Sequence, residues 1–364
     1  MDHRERVFKA VEHEEPDRVP LDQAMDPFRP DIWVGLEKYL DMKDREAILE
    51  YLGIDFRLVR VGVSEDFKKK AVFAGPPFER YLKQLGENLY EDEWGAHYEA
   101  TSDRLHWRYV YHPLSEIDID SYEFPDPDDP SRYAKAKEIV KEKGDKYVIS
   151  AGTGMGLFEQ AWALRGFNRL MRDLYRNVNF VNKLLDRLLD YKIRVSKNFI
   201  DLGVDIIRLA DDFGMQTTMM ISPLIWKKFF KPRMEKLIYE IKSYSRNGVY
   251  IFFHSDGYIE PIIDDLVKIG VQILNPIQPE CMDPARIKQK WGDKLTLHGT
   301  ISVQRTLPFG TIEDVKKEVE KRFKECGENG GLILAPAHAP QPGTPIENIV
   351  TMYTYAKKYC IYKK

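Results

Sequence analysis

Two apolar runs in the second half of the chain each lead to a histidine. One is Tyr250-Ile-Phe-Phe-His254, followed by Ser255-Asp256-Gly257; the other is Leu332-Ile-Leu-Ala-Pro-Ala-His338. A buried barrel strand that stops abruptly in polar residues delivers side chains to the barrel mouth. His254 and Asp256 are two apart and share a face of an extended segment. Two imidazoles and a carboxylate at one rim make three metal ligands with a position left open, the arrangement a catalytic zinc requires. The same residues could instead hydrogen-bond a substrate or a loop carbonyl, because His-x-Asp is a common spacing.

Other polar residues also close apolar runs. Asp211 and Asp212 follow Ile206-Ile-Arg-Leu-Ala210 and point to opposite faces, so one can reach a cleft as ligand or acid/base while the other caps a loop. Asn275 and Gln278 could orient substrate or bond loop backbone. His298 ends Leu295-Thr-Leu-His298 as a cleft histidine or a packed core imidazole. Asp22 closes Arg18-Val-Pro-Leu-Asp22. Glu159, Trp162 and Arg165 are expected at the cleft lip. The remaining histidines, His3, His13, His97, His106 and His112, are expected in surface or packing roles.

The elements that must position these residues follow from periodicity. Strand-like runs occur at residues 18–22, 56–60, 147–152, 205–211, 250–254, 272–275, 295–298 and 332–336. Helix-period segments fill the intervals. Ser222-Pro223 is an N-cap with proline at the first helical position, opening an amphipathic stretch from Leu224 to Tyr244. Thr311 with Asp314 is a capping-box variant opening a helix that runs to about Cys326. Eight strands alternating with helices predict an α/β fold, a single (β/α)8 TIM barrel over residues 1–364 with an amino-terminal helix. An open doubly wound sheet would carry a glycine fingerprint after its first strand, and Pro20-Leu-Asp-Gln23 has none. Residues of about 81–113, with alternation in Leu105-His-Trp-Arg-Tyr-Val-Tyr-His112, predict an inserted β-hairpin. Pro125-Asp-Pro-Asp-Asp-Pro130 predicts a connector into a helix near Ser131.

Bulk properties exclude several classes. The 364 residues are 43% hydrophobic and 31% charged, which suits a globular fold. A formal net charge of −3 gives no nucleic-acid footprint. Lys68-Lys69-Lys70 reads as a solvated turn. No stretch approaches the roughly 20 apolar residues of a membrane span, and the charged amino terminus is unlike a signal core. A cytoplasmic location is expected. Cys281, Cys326 and Cys360 form no Cys-x-x-Cys pair, so neither a disulfide framework nor a zinc knuckle is expected.

A collinear set of motifs resembles the uroporphyrinogen decarboxylase-like superfamily, and within it the corrinoid-linked methyltransferases and their relatives of unassigned activity. The set begins with Arg4-Glu-Arg-Val-Phe-Lys-Ala-Val-Glu-His-Glu-Glu-Pro-Asp-Arg-Val-Pro20, Asp92-Glu-Trp-Gly95, Leu164-Arg-Gly166 and Asp211-Asp-Phe-Gly214 with Ile221-Ser-Pro223. It continues with His254-Ser-Asp-Gly257, Ile273-Leu-Asn-Pro276, Leu307-Pro-Phe-Gly310 and Pro345-Ile-Glu-Asn348. The resemblance implies a single barrel with its site at the carboxyl ends of the strands, and a homodimer. It further implies a methyltransferase that moves a methyl group between a small substrate, a methoxy compound or thiol, and a corrinoid of the cobalamin type, free or on a partner protein, with zinc assisting.

Those relatives carry His-x-Cys on one strand and a second cysteine in a segment like Leu-Ala-Pro-Gly-Cys. Here His254 matches the first ligand, Asp256 stands at the first cysteine and His338 at the second. An oxygen and nitrogen set leaves zinc a stronger Lewis acid than thiolates would, which suits an ether or hydroxyl oxygen. The haem-pathway decarboxylases carry an Arg-Gln-Ala-Gly-Arg-Tyr loop, and this chain has the acidic Asp22-Gln-Ala-Met-Asp-Pro27 there. A metal-independent decarboxylase using Asp22 or Asp211 is the alternative expectation, and a non-catalytic small-molecule binding barrel a further one.

Overall fold

Apolar residues at successive positions of a short run give a strand buried on both faces, as in a parallel sheet covered by helices. The computed structural model describes residues 1–75, 80–102 and 106–363. Its strands in chain order are β1 (Phe56–Arg60), β2 (Val72–Ala74), β3 (Arg80–Gln84), β4 (Leu89–Glu91), β5 (His97–Ala100), β6 (Trp107–Tyr111), β7 (Val148–Gly152), β8 (Ile206–Ala210), β9 (Tyr250–His254), β10 (Ile273–Asn275), β11 (Thr296–His298) and β12 (Leu332–Ile333). Among the described residues, β1 and β7 to β12 form one parallel seven-stranded sheet in the order β1-β7-β8-β9-β10-β11-β12. The sheet curls as in a TIM-like barrel.

The eighth expected strand, residues 18–22, is absent as a strand. Leu21 makes a single parallel bridge to Leu334, and the Leu21 carbonyl accepts the Asp55 N–H at 2.9 Å, just before β1. Pro20 has no N–H to extend the ladder. The inserted hairpin is also corrected: β2 to β6 make a five-stranded antiparallel sheet over Val72–Tyr111. Leu105 of the expected alternation lies outside the described residues. Trp94 packs this insertion on the barrel through Tyr191, ring centroids 4.9 Å apart.

The inward faces of the parallel strands carry Phe56, Val148, Ile206, Phe252, Ile273 and Ile333, which pack with Val7 and Val11 of the helix His3–Val11. That helix plugs the end of the barrel opposite the mouth. The outward faces, including Ile149, Ile207, Ile251, Leu274 and Leu297, join the large core under the helices. Each fully buried side chain of this kind contributes about 1.5–3 kcal/mol. Counting on by twos from the inward Phe252 and Ile273 reaches His254 and Asn275 at the carboxyl ends of β9 and β10, and from the buried Thr296 reaches His298 at the end of β11. The pattern that fills the lumen therefore also aims these three polar residues into its mouth.

The expected caps are present. Ser222 Oγ accepts from the Ile225 N–H, and the helix that follows breaks at Phe230, before Pro232, into Pro223–Phe229 and Lys231–Tyr244. Thr311 and Asp314 complete a reciprocal capping box on Ile312–Cys326. The connector after Pro125 leads through a short 3-10 turn, Pro130–Tyr133, into the helix Ala134–Lys143. No helix among the described residues is long and apolar enough to cross a membrane.

Candidate metal centre

His254 ends β9 and is buried. Its Nε2 lies 3.6 Å from Asp212 Oδ1 and 3.9 Å from Asp256 Oδ2. His338, on the loop after β12, brings its Nε2 to 3.7 Å from the same Asp256 oxygen. Both expected histidines therefore converge on one carboxylate. Asp212 is the aspartate of the adjacent pair that faces the cleft. Among the described residues, Asp212, His254 and Asp256 offer ligand atoms all within 4.8 Å of one another.

Backbone packing sets these positions. The loops after β8 and β9 cross at Gly214 and Gly257. A Cβ on Gly214 would stand 2.3 Å from the Asp256 carbonyl oxygen, and Gly257 has φ of +79° with Met215 O 2.5 Å from where its Cβ would be. Only glycine fits both places. The close approach lets Asp212 Oδ1 accept the Asp256 backbone N–H at 2.8 Å, which ties the Asp212 carboxylate to the loop that carries Asp256. Gln278 accepts the Gly257 N–H at 3.3 Å and so holds this loop.

The electrostatics suit a cation. Burial works against a charged His254, yet Asp256, Asp212 and the bond to Asn275 outweigh it and push the imidazole pKa up to about 9. Burial raises the Asp212 pKa, and the Asp256 charge adds to this against the pull of His254. Glu159, the expected lip residue, is pushed up to about 7 by burial and by the Asp212 charge. Clustered carboxylates that repel one another beside a ring nitrogen are relieved by a bound cation. A tetrahedral ion with bonds near 2 Å keeps its ligand atoms about 3.3 Å apart, so Asp212, His254 and Asp256, whose ligand atoms lie within 4.8 Å of one another, would draw in around it. The donor set fits a divalent ion.

The remaining expected site residues have other engagements. Asp211 accepts the backbone N–H groups of Phe158 and Glu159 at 2.9 Å each and caps the helix Leu157–Arg165. It is the loop-capping member of the pair. Asp22 is buried, ion-paired with Arg208 and 3.1 Å from His298 Nε2. Arg165 donates to Asp173 at 2.8 Å and to the Leu114 carbonyl at 2.5 Å, and it covers the Phe180 ring. Two of its three guanidinium nitrogens thus join elements. Trp162 packs edge-on against Tyr109 of the insertion, whose hydroxyl reaches Met155 Sδ at 3.8 Å. These make an aromatic wall beside Glu159. His298 and Asn275 lie within the lumen, Asn275 bonding both His298 and His254.

Sequence reasoning passed over Arg208 and Asp26. Arg208 was legible as a charged residue at an inward position of an otherwise apolar strand. Asp26 is exposed and pairs with Arg60, and its pKa is held down by Arg60, His254 and His338.

Residues 106–359 match the profile of uroporphyrinogen decarboxylase (URO-D). The chain belongs to this family. Within it, the chain is 28% identical over 225 residues to the methylcobamide:CoM methyltransferase MtaA of Methanosarcina barkeri, an alignment covering 62% of each protein. It is 21% identical over 225 residues to the uroporphyrinogen decarboxylase of Nostoc punctiforme, covering 60% of this chain and 61% of that one. The chain thus spans about three-fifths of the length of these curated URO-D-family relatives. A solved methyltransferase from Methanosarcina mazei shares the fold, with a TM-score of 0.69, 19% identity and 99% of both chains covered.

Proposed function

We propose that this URO-D-family protein is a methyltransferase that moves a methyl group between a small oxygen- or sulfur-bearing substrate and a corrinoid. The observation that carries the reading is the convergence of Asp212, His254, Asp256 and His338 at the carboxyl end of the strands, with both imidazoles within 3.9 Å of one Asp256 oxygen. His254 Nε2, the two carboxylates and His338 Nε2 would hold zinc. When bound, zinc supplies a Lewis acid for the oxygen or sulfur that loses or gains the methyl group, and the corrinoid supplies the methyl-carrying cobalt.

The chain's own residues bind and orient. Asp212 and Asp256, locked by the crossing glycine loops, fix two ligands in place before any ion arrives. His338 is 40% exposed and closes the site from its outer side. Tyr109, Trp162 and Met155 offer an apolar wall against which a methoxylated compound can lie. With no thiolate among the donors, the site favours an ether or hydroxyl oxygen over a thiol. The corrinoid arrives free or on a partner protein, and the enzyme works as a cytoplasmic homodimer.

Metal-independent decarboxylation would need Asp22 or Asp211 free in the cleft. Arg208 and His298 engage the first, and backbone N–H groups engage the second. The test is elemental analysis of gently purified protein, followed by mixing with methylated or reduced corrinoid and a panel of methoxyaromatics, thiols and folates. Zinc near one per chain and a change in the cobalt spectrum with a methoxy compound are expected. No spectral change with any substrate refutes the proposal.

A further inference from the structure

A continuous line of buried polar side chains runs beneath His254. Asp22 Oδ2 lies 3.1 Å from His298 Nε2, His298 Nδ1 is 2.8 Å from Asn275 Nδ2, and Asn275 Oδ1 is 2.5 Å from His254 Nδ1. Asn275 and His298 are fully buried, Asp22 is 4% exposed and His254 7%. Water cannot substitute for any link, so each donor must meet an acceptor.

That requirement fixes the direction of every bond. Asp22 is ion-paired with Arg208, whose other guanidinium nitrogen donates to the Ala24 carbonyl at 2.9 Å. An ionised carboxylate only accepts, so His298 must donate from Nε2. Burial and the nearby Arg208 charge keep the His298 ring neutral, against the pull of Asp22. Its Nδ1 is therefore a lone pair, which accepts an Asn275 amide hydrogen. The amide then turns its oxygen to His254, and His254 must donate from Nδ1. In the neutral ring, the lone pair falls on Nε2, the atom that faces Asp212 and Asp256.

We propose that Asp22, His298 and Asn275 set the tautomer of His254, holding the proton on Nδ1 and presenting the Nε2 lone pair to the cation. This rests on the metal reading above. Arg208 is the origin of the polarity, because its charge keeps Asp22 an acceptor. Reversing any link would send the proton to Nε2 and blunt the ligand. All four are positioning residues.

The first test needs no substitution. Metal-free protein labelled with nitrogen-15 in histidine is examined by long-range proton–nitrogen correlation at a pH high enough that the His254 ring is neutral. The His254 signals are assigned by their loss in His254→Gln. His254 should carry its proton on Nδ1 and His298 on Nε2; any other pair of tautomers overturns the proposal. The second test compares Asn275→Leu and His298→Gln by zinc competition with a chromophoric chelator. Asn275→Leu should lose about 10–100-fold in zinc affinity, as outer partners of ligating histidines commonly do, and should show His254 protonated on Nε2. In His298→Gln the side-chain amide can still donate to Asp22 and accept from Asn275, so that variant should keep the native tautomer and stay within a few-fold of native affinity. Native affinity with the Nδ1–H tautomer in Asn275→Leu overturns the proposal. If native protein takes up no zinc, the metal reading fails while the tautomer measurement still decides the relay.

Discussion

Replacing His338 by alanine separates a ligand from a structural imidazole, because the side chain does so little else. The His338 side chain is 40% exposed and faces the Asp256 carboxylate at 3.7 Å, and its Nδ1 lies 3.3 Å from the Ala339 carbonyl. Removing it should change folding stability by about 0.5 kcal/mol or less, as for surface positions free of special contacts. If His338 is one of four zinc ligands, as proposed, its loss from the site is larger. Structural zinc sites carry roughly 10–16 kcal/mol, so one ligand in four accounts for about 3 kcal/mol. That corresponds to about a hundredfold in zinc affinity. The assay pairs zinc content after dialysis against a chelator with a urea melt and with methyl transfer. The expected result is an unchanged melt with zinc and turnover lost together. A His338→Ala protein that keeps both zinc and turnover refutes the ligand assignment.

Asp256→Cys should strengthen zinc binding by introducing a thiolate, and cobalt(II) in this variant should show a sulfur charge-transfer band that the native protein lacks. Gly257→Ala places a methyl group 2.5 Å from Met215 O at a φ of +79°; it should cost about 1–3 kcal/mol and weaken zinc binding, read by melts and chelator competition. Asp55→Asn should destabilise the fold by about 3–5 kcal/mol at neutral pH, because Arg6 and Arg18 lose a buried partner. Burial opposes the Asp55 charge, but His3, Arg18 and Arg6 together hold its folded pKa below the ordinary value. Its stabilisation is therefore complete above the unfolded carboxylate pKa of about 3.9 and lost as pH falls through the lower folded value. Urea melts of the native protein and the Asp55→Asn variant should converge in acid, and a constant gap would contradict the assignment.

Seven parallel strands were legible because each falls in a short, mostly apolar and β-branched run. Residues 18–22 look the same in sequence, but Pro20 breaks the ladder and leaves a single bridge, Leu21 to Leu334, to the parallel sheet. The small sheet outgrew the expected hairpin because Val72–Ala74 and Arg80–Gln84 are short and partly solvated, and Lys68-Lys69-Lys70 suggested only a turn. At the mouth, strand-end position was enough to bring His254, Asp256 and His338 together at one rim. It could not tell Asp211 from Asp212, since the choice depends on which one meets the amino end of the helix Leu157–Arg165. Nor could it distinguish Arg165 and Asp22 as occupied groups. Their partners, Asp173, Leu114, Arg208 and His298, arrive from other elements, and no local pattern announces them.

The helix that stoppers the barrel opposite its mouth has a consequence for biogenesis. Its Arg4 forks onto Asp205 at 2.7 and 2.8 Å, and its Ala10 carbonyl takes the N–H of Gly331, just ahead of β12. At roughly 5–20 residues per second, a ribosome takes on the order of tens of seconds to pass from the first of these groups to the last. During that interval Val7 and Val11 have no lumen to enter, and the half-made sheet exposes an apolar edge at β9 and then β10. This helix, made long before β12, is thus among the last segments that can dock, so a nascent chain has reason to need a chaperone until β12 appears.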